Sequence, residues 1–214
     1  MAVKIFVDST ADIPHDVAAE LGITVVPLTV HFGEEVYRDW YEMTADQFFE
    51  RLRTERIQPK TAQVSPDLYV REFKRELEKG NSIISLNLSS KASGTYQSAA
   101  IAKNLLETDK INVIDTKSFS MGMGLMGIQA ARMAGEGAGE KEILDKIQTM
   151  VEATEIFFIV DTLEYLKRGG RISPAKAILG NLLNIKPMLR VIDGSIEPFD
   201  KIRGSKKVIP RFVE

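Results

Sequence analysis

Two patterns of hydrophobic and polar positions alternate along the chain. Short apolar runs are rich in β-branched residues, which favours buried strands. They are Lys4–Val7, Ile83–Leu88, Ile111–Ile114 and Ile156–Val160. Longer segments carry apolar residues at helical spacing. They are Asp67–Lys79, Gly94–Leu106, Gly122–Met133 and Glu140–Val151. Buried strands separated by helices predict an α/β fold with a mainly parallel sheet flanked by helices.

Two further segments predict antiparallel hairpins. Val25–Val30 is followed closely by a second short strand pattern at Val36–Arg38. Asp193-Gly194 separates Met188–Ile192 from Ile196–Phe199, and Asp-Gly is typical of a type I′ turn. The second hairpin lies outside the strand-helix alternation. It therefore predicts a smaller second domain of mixed α/β type.

Charge supports the same division into two domains. Of the 214 residues, 44% are hydrophobic and 27% are charged, which is the range of globular proteins. Residues 1–160 carry 17 Lys and Arg against 24 Asp and Glu, whereas residues 161–214 carry 11 against 6. We therefore expect an N-terminal domain over 1–160 and a second domain with a basic surface over 161–214. The basic part is short and lacks interleaved aromatic residues, so we expect no nucleic-acid binding.

The residue types that are missing exclude several kinds of site. The chain has no cysteine and only two histidines, His15 and His31, so we expect no disulfide, no cysteine nucleophile and no metal. No apolar run approaches the ~20 residues of a membrane span, and MAVKIFVDST is no signal peptide. We expect a cytoplasmic protein with at most transient membrane contact. Because the sequence stops inside a helix predicted from Ser205, we also expect a truncated chain.

The segment from Asp8 to Asp12 places acids and hydroxyls directly after the first strand. An aspartyl phosphatase would need a second acid two residues after its nucleophile, and that position is Thr10. The spacing therefore favours Asp8, Ser9 and Thr10 as acceptors for loop and helix-start amides. A phosphatase with Asp8 as nucleophile stays an alternative function.

Gly122-Met123-Gly124-Leu125-Met126-Gly127 matches the glycine spacing of a dinucleotide-binding loop. Such a loop must follow its strand directly, so that backbone amides reach the pyrophosphate, and here residues 115–121 intervene. The motif instead predicts a helix whose glycine face allows close approach of a strand or a ligand.

The segment Ser89–Ala99 follows a continuous apolar strand and opens a helix through Gly94. Free amides at the positive end of a helix dipole form an anion site, to which the hydroxyls of this segment can add donors. Ser93 as the nucleophile of a serine hydrolase is the alternative, including a pairing with Lys91. It lacks the flanking glycines of a nucleophile elbow and an evident histidine base.

Five segments together resemble the DegV family in their order and spacing. They are Asp8–Asp12, Thr61–Pro66, Ser89–Ala99, Asp115–Gly124, and Leu166–Ile172 followed by Ile185-Lys186-Pro187. DegV proteins are bacterial fatty-acid-binding proteins, so the resemblance implies two α/β domains with a long-chain fatty acid, such as palmitate, between them. It further implies a binding protein without turnover or cofactor, which presents the bound acid to a fatty-acid kinase for acyl-phosphate formation.

The resemblance also assigns roles to individual residues. Thr61 and Ser93, with the amide of Gly94, correspond to the group that binds the carboxylate. Arg171 and Arg203 correspond to arginines expected near the acyl phosphate and the kinase-facing surface. The family continues beyond residue 214 and carries a histidine of the head-group site there, which the truncated chain is expected to lack.

Overall fold

The computed structural model describes residues 2–171, 185–204 and 207–213. The chain divides into two compact units, Met1–Ala153 and Thr154–Glu214. The elements of the first unit are β1 (Val3–Asp8), a 3-10 turn (Ser9–Ala11), α1 (His15–Glu20), β2 (Thr24–Val26), β3 (Thr29–Phe32), β4 (Glu35–Arg38), α2 (Ala45–Thr54), β5 (Lys60–Ala62), α3 (Pro66–Leu77), β6 (Ser82–Asn87), α4 (Thr95–Leu106), β7 (Ile111–Asp115), α5 (Met121–Gly135) and α6 (Glu140–Ala153). Those of the second are β8 (Ile156–Ile159), α7 (Glu164–Arg168), β9 (Ile185–Ile192), β10 (Ser195–Arg203) and α8 (Val208–Val213).

A four-stranded parallel sheet forms the centre of the first unit. Its strand order is β2-β1-β6-β7, with register pairs such as Ile5↔Ile84 and Leu86↔Ile114. All six residues of β6 are buried, as expected for an inner strand of a parallel sheet. The predicted α/β architecture with a mainly parallel sheet is confirmed.

Helices cover both faces of this sheet, and alternate residues of β1 show it. Ile5 and Val7 belong to one core cluster, to which α5 and α6 contribute residues such as Met123 and Ile147. Phe6 points to the other face and contacts Phe73 of α3 edge-on, with ring centroids 5.2 Å apart. The side chains therefore alternate between two cores, as the period of a strand requires.

The glycines of α5 allow this helix to lie directly against β1 and the turn that follows it. A Cβ at Gly124 would lie 2.4 Å from the carbonyl oxygen of Ala11, and one at Gly127 would lie 2.8 Å from Val7. The glycine motif thus serves helix packing, which is the close approach of a strand predicted above.

One strand prediction was wrong in its extent and another in its pairing. Val25–Val30 is not one strand. Pro27 has no N–H to donate to a ladder, and the strand is interrupted there. Its first part, β2, joins the parallel sheet, whereas β3 forms the predicted hairpin with β4 and also pairs with β5. The strand predicted at Ile156–Val160 exists as β8, but it pairs antiparallel with β9 rather than joining the parallel sheet.

The second unit contains an antiparallel sheet in the order β10-β9-β8. Asp193 and Gly194 have φ angles of 46° and 80°, so both central residues of the turn are left-handed, as a type I′ turn requires. The predicted hairpin is confirmed. Ser205, the predicted start of the last helix, lies outside the described residues.

Candidate functional site

Three loops meet at the carboxyl ends of the parallel strands, the edge where ligands bind in sheets of this kind. The loop after β6 donates hydrogen bonds to both neighbours. Asp8 is the last residue of β1, and its Oδ2 accepts the Leu88 N–H at 2.7 Å. The Ser89 N–H donates to the Ser118 carbonyl at 2.8 Å. The Ser90 N–H donates to Asp115 Oδ1 (3.2 Å), which ends β7.

We name residues 89–94 the serine loop. Its internal amides turn back onto Ser89, because the Lys91 N–H donates to the Ser89 hydroxyl and the amides of Ala92 and Ser93 donate to the Ser89 carbonyl. Ser89 is 1% exposed, so these acceptors are shielded from water. The loop is consequently built around one buried serine.

Gly94 ends the serine loop and is the N-cap of α4. Among the described residues, its N–H is the only backbone amide from Leu88 to Thr95 without an intramolecular acceptor. Gly94 is partly exposed, and no side chain caps the helix there. A free N–H at the N-terminus of a twelve-residue helix can bind an anion.

Ser93 lies directly before this amide and is partly exposed. Its Oγ lies 3.0 Å from Thr95 Oγ1 and accepts the Thr95 N–H at 3.3 Å. One of these two hydroxyls donates to the other, which leaves one hydroxyl and the neighbouring Gly94 amide as a group of donors. A carboxylate is the kind of acceptor that such a group stabilises.

The β5 segment reaches the serine loop through Gln63, a residue that no local pattern in the sequence identifies. Thr61 is exposed on β5, where it pairs with Val30. Two residues later, Gln63 Nε2 donates to Ser98 Oγ (3.1 Å) in α4. A Cβ at Gly94 would lie 2.1 Å from Gln63 Oε1, so Gln63 rests on the face of Gly94 where other residues have a side chain. Nothing in the local sequence reveals this contact, since it joins residues 31 positions apart.

Asp8 is fully buried, and both of its carboxylate oxygens accept hydrogen bonds from within the chain. Oδ1 accepts from the Thr10 N–H (3.1 Å) and hydroxyl (2.6 Å), and Oδ2 accepts from Leu88. Burial raises the pKa of Asp8 from its ordinary 3.8 to about 6, although these hydrogen bonds oppose the rise. The side chain therefore accepts loop and turn amides, the alternative that its sequence context favoured.

Arg171 and Arg203 both belong to the second unit, and both are exposed. Arg171 follows α7 after two glycines, the second of which has a φ of 76°, and donates to the Gly169 carbonyl. Arg203 is the last residue of β10 and pairs with Ile185.

The described contacts of the two histidines are with residues outside the serine loop. His15 stacks on Trp40 with ring centroids 3.5 Å apart, and His31 Nε2 lies 2.9 Å from Thr29 Oγ1. In the described part of the chain, no three side chains from His, Asp and Glu are grouped so that they could hold a metal ion. None of the described helices is both long and apolar enough to cross a membrane.

Comparison with known proteins adds relatives to this geometry. The sequence model of the DegV family, described as uncharacterised proteins, matches residues 2–214. A DegV domain-containing protein of Caldanaerobacter subterraneus subsp. tengcongensis is 39% identical over 207 residues, which are 97% of this chain and 74% of the relative.

Solved structures agree with the fold. A fatty-acid-binding DegV family protein from Thermus thermophilus matches with a TM-score of 0.90 and 37% identity, covering 100% of this chain and 77% of that one. A stearic-acid-binding protein from Eubacterium ventriosum matches with a TM-score of 0.88 and 31% identity over 96% and 72%. The match of the family model along nearly the whole sequence and the agreement of the fold lead to one assignment: the chain belongs to the DegV family.

Proposed function

We propose that this chain binds a long-chain fatty acid and holds its carboxylate with the hydroxyls of Thr61 and Ser93 and the N–H of Gly94. The observation that carries the proposal is the free Gly94 amide, which ends a loop whose other amides are all paired. The fatty acids bound by the Thermus and Eubacterium relatives support the same ligand class.

The proposed donors suit the chemistry of a fatty acid. Each hydrogen bond to an ionised carboxylate contributes about 1.5–3 kcal/mol. The acyl chain adds about 0.8 kcal/mol for each CH₂ that leaves water. The hydrocarbon therefore supplies most of the affinity, and the carboxylate group determines how the ligand is oriented.

The protein then acts as a carrier without turnover of its own. It presents the bound acid to a separate fatty-acid kinase in the cytoplasm, and the kinase forms the acyl phosphate. Arg171 and Arg203 serve the phosphorylated product or the contact with the kinase, because a guanidinium can bind a phosphoryl group through two parallel hydrogen bonds.

The geometry gives less support to the two enzymatic alternatives. In the described part of the chain, no histidine forms a hydrogen bond with Ser93, so a hydrolase lacks the usual base. A phosphatase needs a carboxylate oxygen free to attack, whereas both oxygens of Asp8 accept hydrogen bonds inside the protein.

Mass spectrometry of lipid extracted from freshly purified, denatured protein tests the proposal. We expect a long-chain fatty acid in near-stoichiometric amount, because burial of a C16-class chain outweighs the entropy lost on binding. Titration of delipidated protein with palmitate is the companion measurement. Extracts without fatty acid, together with no binding of added palmitate, would contradict the proposal.

A further inference from the structure

The bond between Asp8 and Leu88 joins the ends of the two central strands of the parallel sheet. Asp8 is the last residue of β1, and Leu88 directly follows β6, 80 residues later. At 2.7 Å, the Leu88 N–H donates to a carboxylate that is fully buried. Such a bond is short and strong because its acceptor is charged.

This bond lies beyond the ladder that holds the two strands together. The pairing of β1 with β6 runs from Val3↔Ser82 to Val7↔Leu86, so the sheet is already aligned before Asp8 is reached. Leu88 instead leads into the serine loop. The carboxylate of Asp8 thus fixes the point from which the loop starts.

A chain of hydrogen bonds connects that starting point to the proposed carboxylate donors. Leu88 is covalently followed by Ser89, whose carbonyl accepts the amides of Ala92 and Ser93. Ser93 in turn accepts the Thr95 N–H beside Gly94. A shift of Leu88 therefore reaches Ser93 and Gly94 through Ser89, without any contact between Asp8 and the ligand.

We propose that Asp8 is a positioning residue of the fatty-acid site, and that its ionised carboxylate holds the serine loop in the geometry that binds the acyl carboxylate. The inference rests on the proposed function. It predicts that protonation of Asp8 weakens fatty-acid binding, because a neutral acid is a weaker acceptor for the Leu88 N–H than a carboxylate.

Few charged groups act on Asp8. β2 and β6 contain no ionisable residue, and the only one in α5 is Arg132, in the last turn of that helix. Asp39, which accepts a hydrogen bond from the Ser9 hydroxyl, repels the charge of Asp8 and so raises its pKa. The charge of Asp8 in turn helps to raise the pKa of the buried Tyr69 of α3. Among the described residues, no ion pair includes Asp8. Its titration therefore follows from burial and from its hydrogen bonds to Thr10 and Leu88.

Protonation of Asp8 is expected to change fatty-acid affinity and protein stability in opposite directions. The pKa of Asp8 is raised by burial to about 6, so the folded chain takes up this proton more readily than the unfolded chain. The contribution of Asp8 to the free energy of unfolding consequently rises as pH falls from about 6 to about 4. Affinity falls over the same range, so the two quantities move in opposite directions.

The test compares palmitate affinity of the wild-type chain with that of Asp8→Asn at two pH values. The ratio between the variants cancels the titration of palmitate itself. We expect wild type to bind about fivefold more tightly near pH 7.5 and the ratio to approach one near pH 5. Asp16→Asn, a change at an exposed acid in α1, is the matched control and should leave the ratio at one.

Thr10→Val provides a second variant if Asp8→Asn does not fold. It removes the hydroxyl that donates to Asp8 Oδ1, so the pH at which affinity declines should move upward. A ratio that is the same at both pH values, or a Thr10→Val profile identical to wild type, would overturn the role of Asp8. Wild-type protein that binds no palmitate at any pH would instead refute the proposed function.

Discussion

At the scale of single residues, Gly94 combines two properties that bear on the proposed site. Its N–H, at the start of α4, has no acceptor among the residues that the structure describes, and its missing side chain leaves room for Gln63. Its backbone angles, φ −77° and ψ 6°, are accessible to any residue. The absence of a Cβ is therefore required by the contact with Gln63 and not by the backbone.

Gly94→Ala tests that contact. The new Cβ displaces the flexible end of Gln63 and breaks its bond to Ser98, which costs about 0.5–1.5 kcal/mol of stability. We expect palmitate affinity to fall about tenfold, because the displaced Gln63 moves the β5 segment that carries Thr61. Isothermal titration calorimetry measures the change in palmitate affinity, and thermal unfolding measures the change in stability.

Removing the Gln63 side chain should restore part of the palmitate affinity that Gly94→Ala loses. In the background of Gly94→Ala, Gln63→Ala vacates the space that the methyl group needs, so affinity should recover in part. Unchanged affinity in Gly94→Ala would show that the Gln63 contact has no part in binding.

At the scale of elements, the strongest predictions came from segments whose patterns are continuous. The spacing predicts α6 at Glu140–Val151, and the helix spans Glu140–Ala153. The helix at α2, none of whose residues is fully buried, was missed. Its capping box, in which Thr44 and Gln47 bond each other's backbone amides, is a signal that could have revealed it.

The packing of α5 against β1 gives a prediction at this scale. Gly124→Ala places a Cβ 2.4 Å from the backbone carbonyl of Ala11, which cannot rotate away, so we expect a loss of about 3 kcal/mol in the free energy of unfolding. Gly135→Ala, on the same helix with no atom within 4 Å, should instead gain up to about 1 kcal/mol. Urea denaturation distinguishes the two. Equal stability of both variants would contradict close packing as the reason for the glycine motif.

At the scale of the whole molecule, the sequence predicted what depends on local pattern and missed what depends on distant contacts. The turn residues Asp193-Gly194 identified the hairpin, and hydrophobic periodicity identified the inner strands. It could not show that β2 joins the parallel sheet, because a three-residue strand has too short a pattern. The bond of Asp8 to Leu88 and the contact of Gln63 with Gly94 arise only once the chain has folded. The roles of Thr61, Ser93, Arg171 and Arg203 remain predictions.

The second unit carries a prediction of its own. Arg171→Ala and Arg203→Ala should leave fatty-acid content intact, while kinase-dependent acyl-phosphate formation falls and becomes less sensitive to salt. Lys167→Ala and Lys201→Ala, which remove exposed charges from the same two segments, are the controls. Loss of the fatty acid, or phosphorylation at the wild-type rate, would show that the arginines have another role.

We propose that the hydroxyls of Thr61 and Ser93 and the amide of Gly94 recognise a carboxylate. The most direct measurement compares the affinities of palmitate and hexadecanol for wild type and for a Thr61→Ala, Ser93→Ala double variant, because the two ligands differ mainly in the head group. We expect wild type to prefer palmitate by about tenfold or more and the double variant to lose most of that preference. Equal affinity of wild type for both ligands, or an undiminished preference in the double variant, would contradict the account.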